Sequence, residues 1–184
     1  MKTIAIIPAR GKSKGIKNKN LVNFCGKPLI YWTIKQALSS KLVDEVIVSS
    51  DSNEIINISK KNGAQVIRRP KSLSGDKASS ESALIHVIKK LSYNVDLVVF
   101  LQVTSPLRKA KDIDNAIKKF IKGNGDSLFS ASSMEDFNIW IKNNHHHLKS
   151  INYNWKKRER RQEKKNSILC ENGSIYITKR KLLE

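Results

Sequence analysis

Acidic residues are scarce in this chain. Its 184 residues include 16 Asp and Glu against 35 Lys and Arg, a formal net charge of +19. Such a balance fits polyanionic partners, nucleic acid among them. The cations run along the whole chain beside frequent Ile and Asn, so most of the excess is diffuse. They concentrate in two places, residues 10–19 and 156–165. Cysteine is almost missing. Cys25 and Cys170 are the only two, and they lack metal-ligand spacing, so a cysteine zinc site is excluded and a disulfide framework is not expected. No run approaches the roughly 20 apolar residues of a membrane span. No signal-peptide pattern precedes the first apolar run, and a cytoplasmic protein is expected. Neither G-x-x-x-x-G-K-[ST] nor G-x-G-x-x-G occurs, and there is no internal repeat.

What is present is a β-rich, uncharged start. Ile4, Ala5, Ile6 and Ile7 predict a central strand buried on both faces, ended by Pro8. A polar loop follows, with Gly11 and Gly15 among Arg10, Lys12, Lys14, Lys17 and Lys19. Glycines let backbone N–H groups approach a ligand, and cations so dense suit a polyphosphate. By charge alone, a solvated surface loop fits equally well.

The remaining pattern alternates. Helical spacing predicts a helix over 28–39, with Pro28 in its first turn. Strands are expected at 45–49, 65–68, 96–102 and 127–132. Helices follow from Asp51 or Ser52, from Ser79 or Ser80, and from Asp112. This is the βαβ pattern of a doubly wound, mostly parallel α/β sheet in a single domain, 1–184. In such sheets ligands lie beyond the carboxyl ends of the strands, so loops 8–20, 69–80 and 102–108 should gather on one edge. Residues 133–166 turn polar, with Trp140 and Trp155, and predict an excursion from the sheet, with a hairpin as one form it can take. Residues 173–178 read as a strand returning to the core. The run His145-His146-His147 is read as a polar loop tip rather than a metal site, and His86 as a packing residue.

Three further stretches carry chemistry-bearing side chains. Arg69 after a strand, with Ser79 and Ser80 at a helix N-terminus, could meet a base edge and an anion, although a turn with an ordinary cap explains them as well. Residues 100–108, Phe-Leu-Gln-Val-Thr-Ser-Pro-Leu-Arg, place polar side chains after a strand end, where a sugar could be oriented. The stretch Arg160-Arg161-Gln162-Glu163 precedes Glu171-Asn172-Gly173-Ser174-Ile175-Tyr176. Taken alone, 156–165 reads as a solvated charged segment or an RNA-binding patch.

Together these stretches resemble the acylneuraminate cytidylyltransferases, the CMP-sialic acid synthetases. Pro-Ala-Arg-Gly-x-Ser-Lys-Gly-Ile-x-x-Lys-Asn resembles their N-terminal signature. Four later motifs follow in order: Arg-Pro to Asp-x-Ala-Ser-Ser, Leu-Gln-x-Thr-Ser-Pro-Leu-Arg, Arg-Arg-Gln, and Glu-Asn-Gly-Ser-Ile-Tyr. Val103 stands where many members have proline, and the spacing from Arg161 to Asn172 is about one residue longer than the family's. The resemblance implies a Rossmann-like nucleotide-sugar transferase fold with a protruding dimerisation segment over 133–166, and a homodimer. It implies transfer of CMP from CTP to an acylneuraminate, with release of pyrophosphate. Arg10, Lys14, Lys19 and Asn20 would meet the nucleotide, with Arg10 and Lys19 in the catalytic role of stabilising charge on the triphosphate. Arg69, Ala78 and Ser80 would hold cytosine and ribose. Gln102, Thr104, Ser105, Arg161, Asn172 and Tyr176 would hold the sugar, and Arg108 fits a structural role equally well. Legionaminic or pseudaminic acid is an alternative acceptor, and a basic nucleic-acid-binding protein the alternative from another class. Mg²⁺ is implied, but the family supplies its carboxylates well after the Asn-Gly strand. No metal ligands are found in this chain, and a C-terminal truncation is expected.

Overall fold

The computed structural model describes residues 1–183 except 14, 77, 135–136 and 164–167, and leaves out the Arg161 side chain. The chain forms two compact units, Met1–Ser130 with Gly173–Glu184, and Ala131–Asn172.

The first unit is built on parallel strands. β1 (Thr3–Pro8) pairs with β4 (Glu45–Ser50) on one side and β6 (Leu97–Leu101) on the other, and β4 pairs with β5 (Gln65–Arg68). β1 and β6 lie at the centre with both faces covered, which is why their sequences are unbroken apolar runs rather than alternations. β10 (Leu169–Lys179) then pairs antiparallel with β6, placing Tyr176 opposite Phe100. The full order is β5-β4-β1-β6-β10-β7, with β7 spanning Ser127–Ser133.

Successive side chains on β1 point to opposite faces and so feed two cores. Ala5 and Ile7, with Val46, Val48, Val99 and Leu101, pack beneath α1 (Leu29–Leu38), α2 (Asn53–Lys61) and α4 (Ala110–Lys122). Ile4 and Ile6, with Ile47, Val98 and Phe100, pack beneath α3 (Ser80–Lys90) through Leu84, Val87 and Ile88. Helices on both faces of a mostly parallel sheet make the expected doubly wound architecture.

The helix starts follow local chemistry. Ser52 Oγ accepts from Ile55 N–H, and Ser79 Oγ accepts from Ser82 N–H at 3.2 Å, capping α2 and α3. α4 begins two residues before the expected Asp112. That carboxylate lies inside the first turn and reaches back to the Lys109 N–H at 2.8 Å. A two-stranded ribbon, β2 (Asn23–Phe24) and β3 (Lys27–Pro28), precedes α1. Its turn residues, Cys25 and Gly26, both have positive φ, as a tight hairpin turn requires.

The second unit contains its own hairpin, β8 (Trp140–Lys142) paired with β9 (Leu148–Ser150). Asn143 accepts from the N–H groups of His145 and His147 through Oδ1 and closes the tip. Among the described residues no three His, Cys, Asp or Glu side chains gather to hold a metal, and no helix is long and apolar enough to cross a membrane.

Candidate active site

All four parallel strands end on the same edge of the sheet, and three of the following loops enclose a cavity of about 440 Å³. Arg10, Lys19 and Asn20 come from the loop after β1. Arg69 and Ala78 come from the segment between β5 and α3, and Ser80 opens α3. Gln102 and Thr104 come from the loop after β6. Eight of the thirteen expected site residues therefore line one cavity.

The first loop is fastened from beneath. Gly11 N–H donates to Asp51 Oδ1 at 2.9 Å, and Asn20 Nδ2 donates to the Arg10 carbonyl at 2.9 Å. A Cβ on Gly11 would come within 2.8 Å of Ser52 Cβ, so only glycine lets the loop lie this close to α2. Asn20 is buried, and its amide both lines the cavity and staples the loop. Lys19 opens the single 3-10 turn Lys19–Leu21 beside it.

Arg10 reaches across the cavity. Its Nη1 donates to Asp76 Oδ1 and to the Gly75 carbonyl, each at 3.1 Å, tying the first loop to the second. Asp76 has no role in the sequence reading although it sits inside a quoted motif. Its partner is 66 residues away, and no local pattern reveals such a pair.

Arg69 is 6 % exposed, and its Nε has no hydrogen-bond partner among the described residues. Burial pushes its pKa down, Asp51 opposes that shift, and Arg10 adds to it. Arg69 lines the cavity, where its guanidinium can donate to acceptor atoms of a ligand. His86, on α3, titrates below its usual value through burial, with Lys90 and Arg69 contributing. Its Nδ1 is likewise buried without a hydrogen-bond partner among the described residues.

At the opposite wall Thr104 Oγ1 donates to Gln102 Oε1 at 3.3 Å. Tyr176 is not among the lining residues but stacks on Phe100, which is, with ring centroids 5.2 Å apart. Ser105 does not line the cavity, and its carbonyl accepts from Arg108 N–H at 3.3 Å. Lys14 lies outside the described residues. Arg161 and Asn172 belong to the second unit. Arg161 opens the 3-10 turn Arg161–Glu163, and Asn172 Nδ2 donates to Ser132 Oγ at 3.3 Å.

Among the described residues the cavity offers one carboxylate that could meet a magnesium ion. It is Asp76, and Arg10 engages it. Asp51 serves the loop backbone. A magnesium site needs one or two carboxylate oxygens left for the ion.

The cytidylyltransferase family model matches residues 4–184. The chain belongs to the cytidylyltransferase family. Pseudaminic acid cytidylyltransferase of Campylobacter jejuni (strain 81-176) is 42% identical over 139 residues, covering 73% of this chain and 60% of that protein. N-acylneuraminate cytidylyltransferase A of Danio rerio is 36% identical over 183 residues, covering 98% of this chain and 42% of its own length. The chain thus spans less than two thirds of the curated relatives it matches. In fold it resembles a CMP:2-keto-3-deoxy-manno-octonic acid synthetase complexed with CTP. The TM-score is 0.76 at 22% identity, over 100% of this chain and 76% of the other. Three of the five stretches that carry the resemblance, those around Arg10, Arg69 and Gln102, supply residues to the cavity.

Proposed function

We propose that this chain carries the nucleotide site of an enzyme that transfers CMP from CTP to an acylneuraminate, releasing pyrophosphate. The observation behind it is the convergence of Arg10, Lys19, Asn20, Arg69, Ala78, Ser80, Gln102 and Thr104 on one cavity. Arg69, Ala78 and Ser80 would hold cytosine and ribose. Arg10 and Lys19 would meet the triphosphate, where fixed positive charge favours both binding and the pyrophosphate that departs. Gln102 and Thr104 would orient the sugar so that its anomeric oxygen attacks the α-phosphorus. That oxygen loses its proton, the new P–O bond forms, and the bond to the β-phosphate breaks. A cytoplasmic location, where CTP is supplied, belongs to this reading.

Pseudaminic acid is a second candidate acceptor, favoured by the 42% identity to the Campylobacter jejuni protein of that name. Pyrophosphate release from CTP, measured with each sugar acid in magnesium-containing buffer, distinguishes the two. Release dependent on N-acetylneuraminate supports the first acceptor, and release dependent on pseudaminic acid alone replaces it. CTP binding without release under either condition counts against transfer by this chain.

A homodimer through residues about 133–166 is also proposed. Trp140, Trp155, Phe137 and Ile141 of that segment are exposed, an unusual apolar display for an isolated surface. Light scattering across micromolar concentrations should give twice the chain mass. A monomer throughout would refute the assembly.

A further inference from the structure

We propose that Arg108 is a positioning residue for the acceptor-sugar side of the cavity, acting through the Gly173-Ser174 segment on the amide of Gln102. The proposal rests on the transfer reading above. Arg108 is 7 % exposed. Its Nη1 donates to the Ser174 carbonyl at 2.5 Å and to Ser174 Oγ at 3.3 Å, joining the loop after β6 to β10. The rest of the guanidinium is costly. Nε and Nη2 are buried and have no hydrogen-bond partner among the described residues. Burial lowers its pKa to about 10, with only Asp112 opposing. A buried cation so poorly compensated weakens the fold rather than strengthening it. Its value therefore lies in what it holds.

What it holds adjoins the cavity wall. Gly173 precedes Ser174 and has φ +69°, a conformation that glycine adopts readily. A Cβ there would lie 3.4 Å from Gln102 Oε1 and 3.5 Å from Nε2. The bare glycine backbone thus stands beside the Gln102 side chain as a backstop with about a methyl's room between them, any side chain at Gly173 would strain the positive φ, and Thr104 Oγ1 donates to Oε1. Arg108 sets the position of that backstop by gripping both oxygens of Ser174. Gln102 lines the cavity, and Arg108 does not. Moving the backstop should misplace the amide while leaving the Arg10, Lys19 and Arg69 walls untouched.

The test compares Arg108→Met, Arg108→Lys and Gly173→Ala with the unaltered chain. Isothermal titration reads CTP alone, then N-acetylneuraminate or pseudaminic acid on the CTP-loaded protein. Arg108→Met should weaken sugar binding about tenfold, the scale of one misplaced buried hydrogen bond, with CTP affinity unchanged within about twofold. Arg108→Lys, which keeps one donor for the Ser174 carbonyl, should recover part of the loss. Gly173→Ala should reproduce the sugar-selective loss with Arg108 intact, whatever Arg108→Met does to folding. Equal losses of CTP and sugar affinity, or loss of neither, in Gly173→Ala and Arg108→Lys would overturn the assignment. If the unaltered chain binds CTP but neither sugar acid, the acceptor reading fails first, and the Arg108 assignment falls with it.

Discussion

Arg10→Ala should weaken CTP binding roughly 100-fold, close to the upper range for a hydrogen bond between charged groups. Two losses combine. The phosphates lose a guanidinium, and the Asp76 carboxylate on the cavity wall loses the cation that engages it at 3.1 Å. Lys19→Ala removes only an attraction and should cost about tenfold. Adding Asp76→Asn to Arg10→Ala should recover part of the affinity, because the repulsive half of the effect disappears. Lys41→Ala, at an exposed position outside the cavity, should leave affinity unchanged. Titration calorimetry with CTP checks all four. Recovery would separate the repulsion by Asp76 from the attraction by Arg10. Arg10→Ala with wild-type affinity would mean that the first loop does not meet the phosphates.

Ile6→Ala should lower stability by about 2–5 kcal/mol and the melting temperature by roughly 10 °C. Ile6 is fully buried on the central strand, facing the cluster under α3. Neighbours fixed in a close-packed sheet cannot collapse into the space left behind. Ile121→Ala, at a half-exposed position on α4, should change stability by less than about 1 kcal/mol. Thermal unfolding followed by circular dichroism measures both. Equal small shifts would show that the two-sided core is not where β1 places it.

Both predictions draw on features visible in the sequence. The buried strands were legible because burial on two faces forces uncharged, β-branched runs, as in Ile4–Ile7 and Leu97–Leu101. The order of the first four strand–helix units followed from their spacing. The direction of β10 did not, since a strand's residues do not state which neighbour it will join. Its extent was also underestimated. Leu169–Asn172 are exposed and show no burial pattern, yet they belong to the strand. The β2–β3 ribbon was missed because Cys25-Gly26 is not the usual Asn-Gly turn signature, and two-residue strands leave no periodicity.

At the site, the motifs gave residue types and the fold brought them together. Arg69 stood out in sequence only as an arginine before a proline, and its burial and unused donor appear only in three dimensions. Asp76 escaped notice, and Asp51 was read only as a possible helix start, because each works on a residue of a distant loop. Arg108 remained open because its neighbour Ser174 lies 66 positions away.

The most direct measurement of the central claim is thermal unfolding of the chain with CTP, UTP, ATP or GTP at equal millimolar concentration. A ligand that binds only the native state raises the melting temperature in proportion to the logarithm of its concentration over Kd. The account predicts the largest shift with CTP, and loss of that preference in Arg69→Met. The same shift with all four nucleotides, surviving in Arg69→Met, would show a cavity that collects polyphosphates and does not read cytosine, contradicting the account.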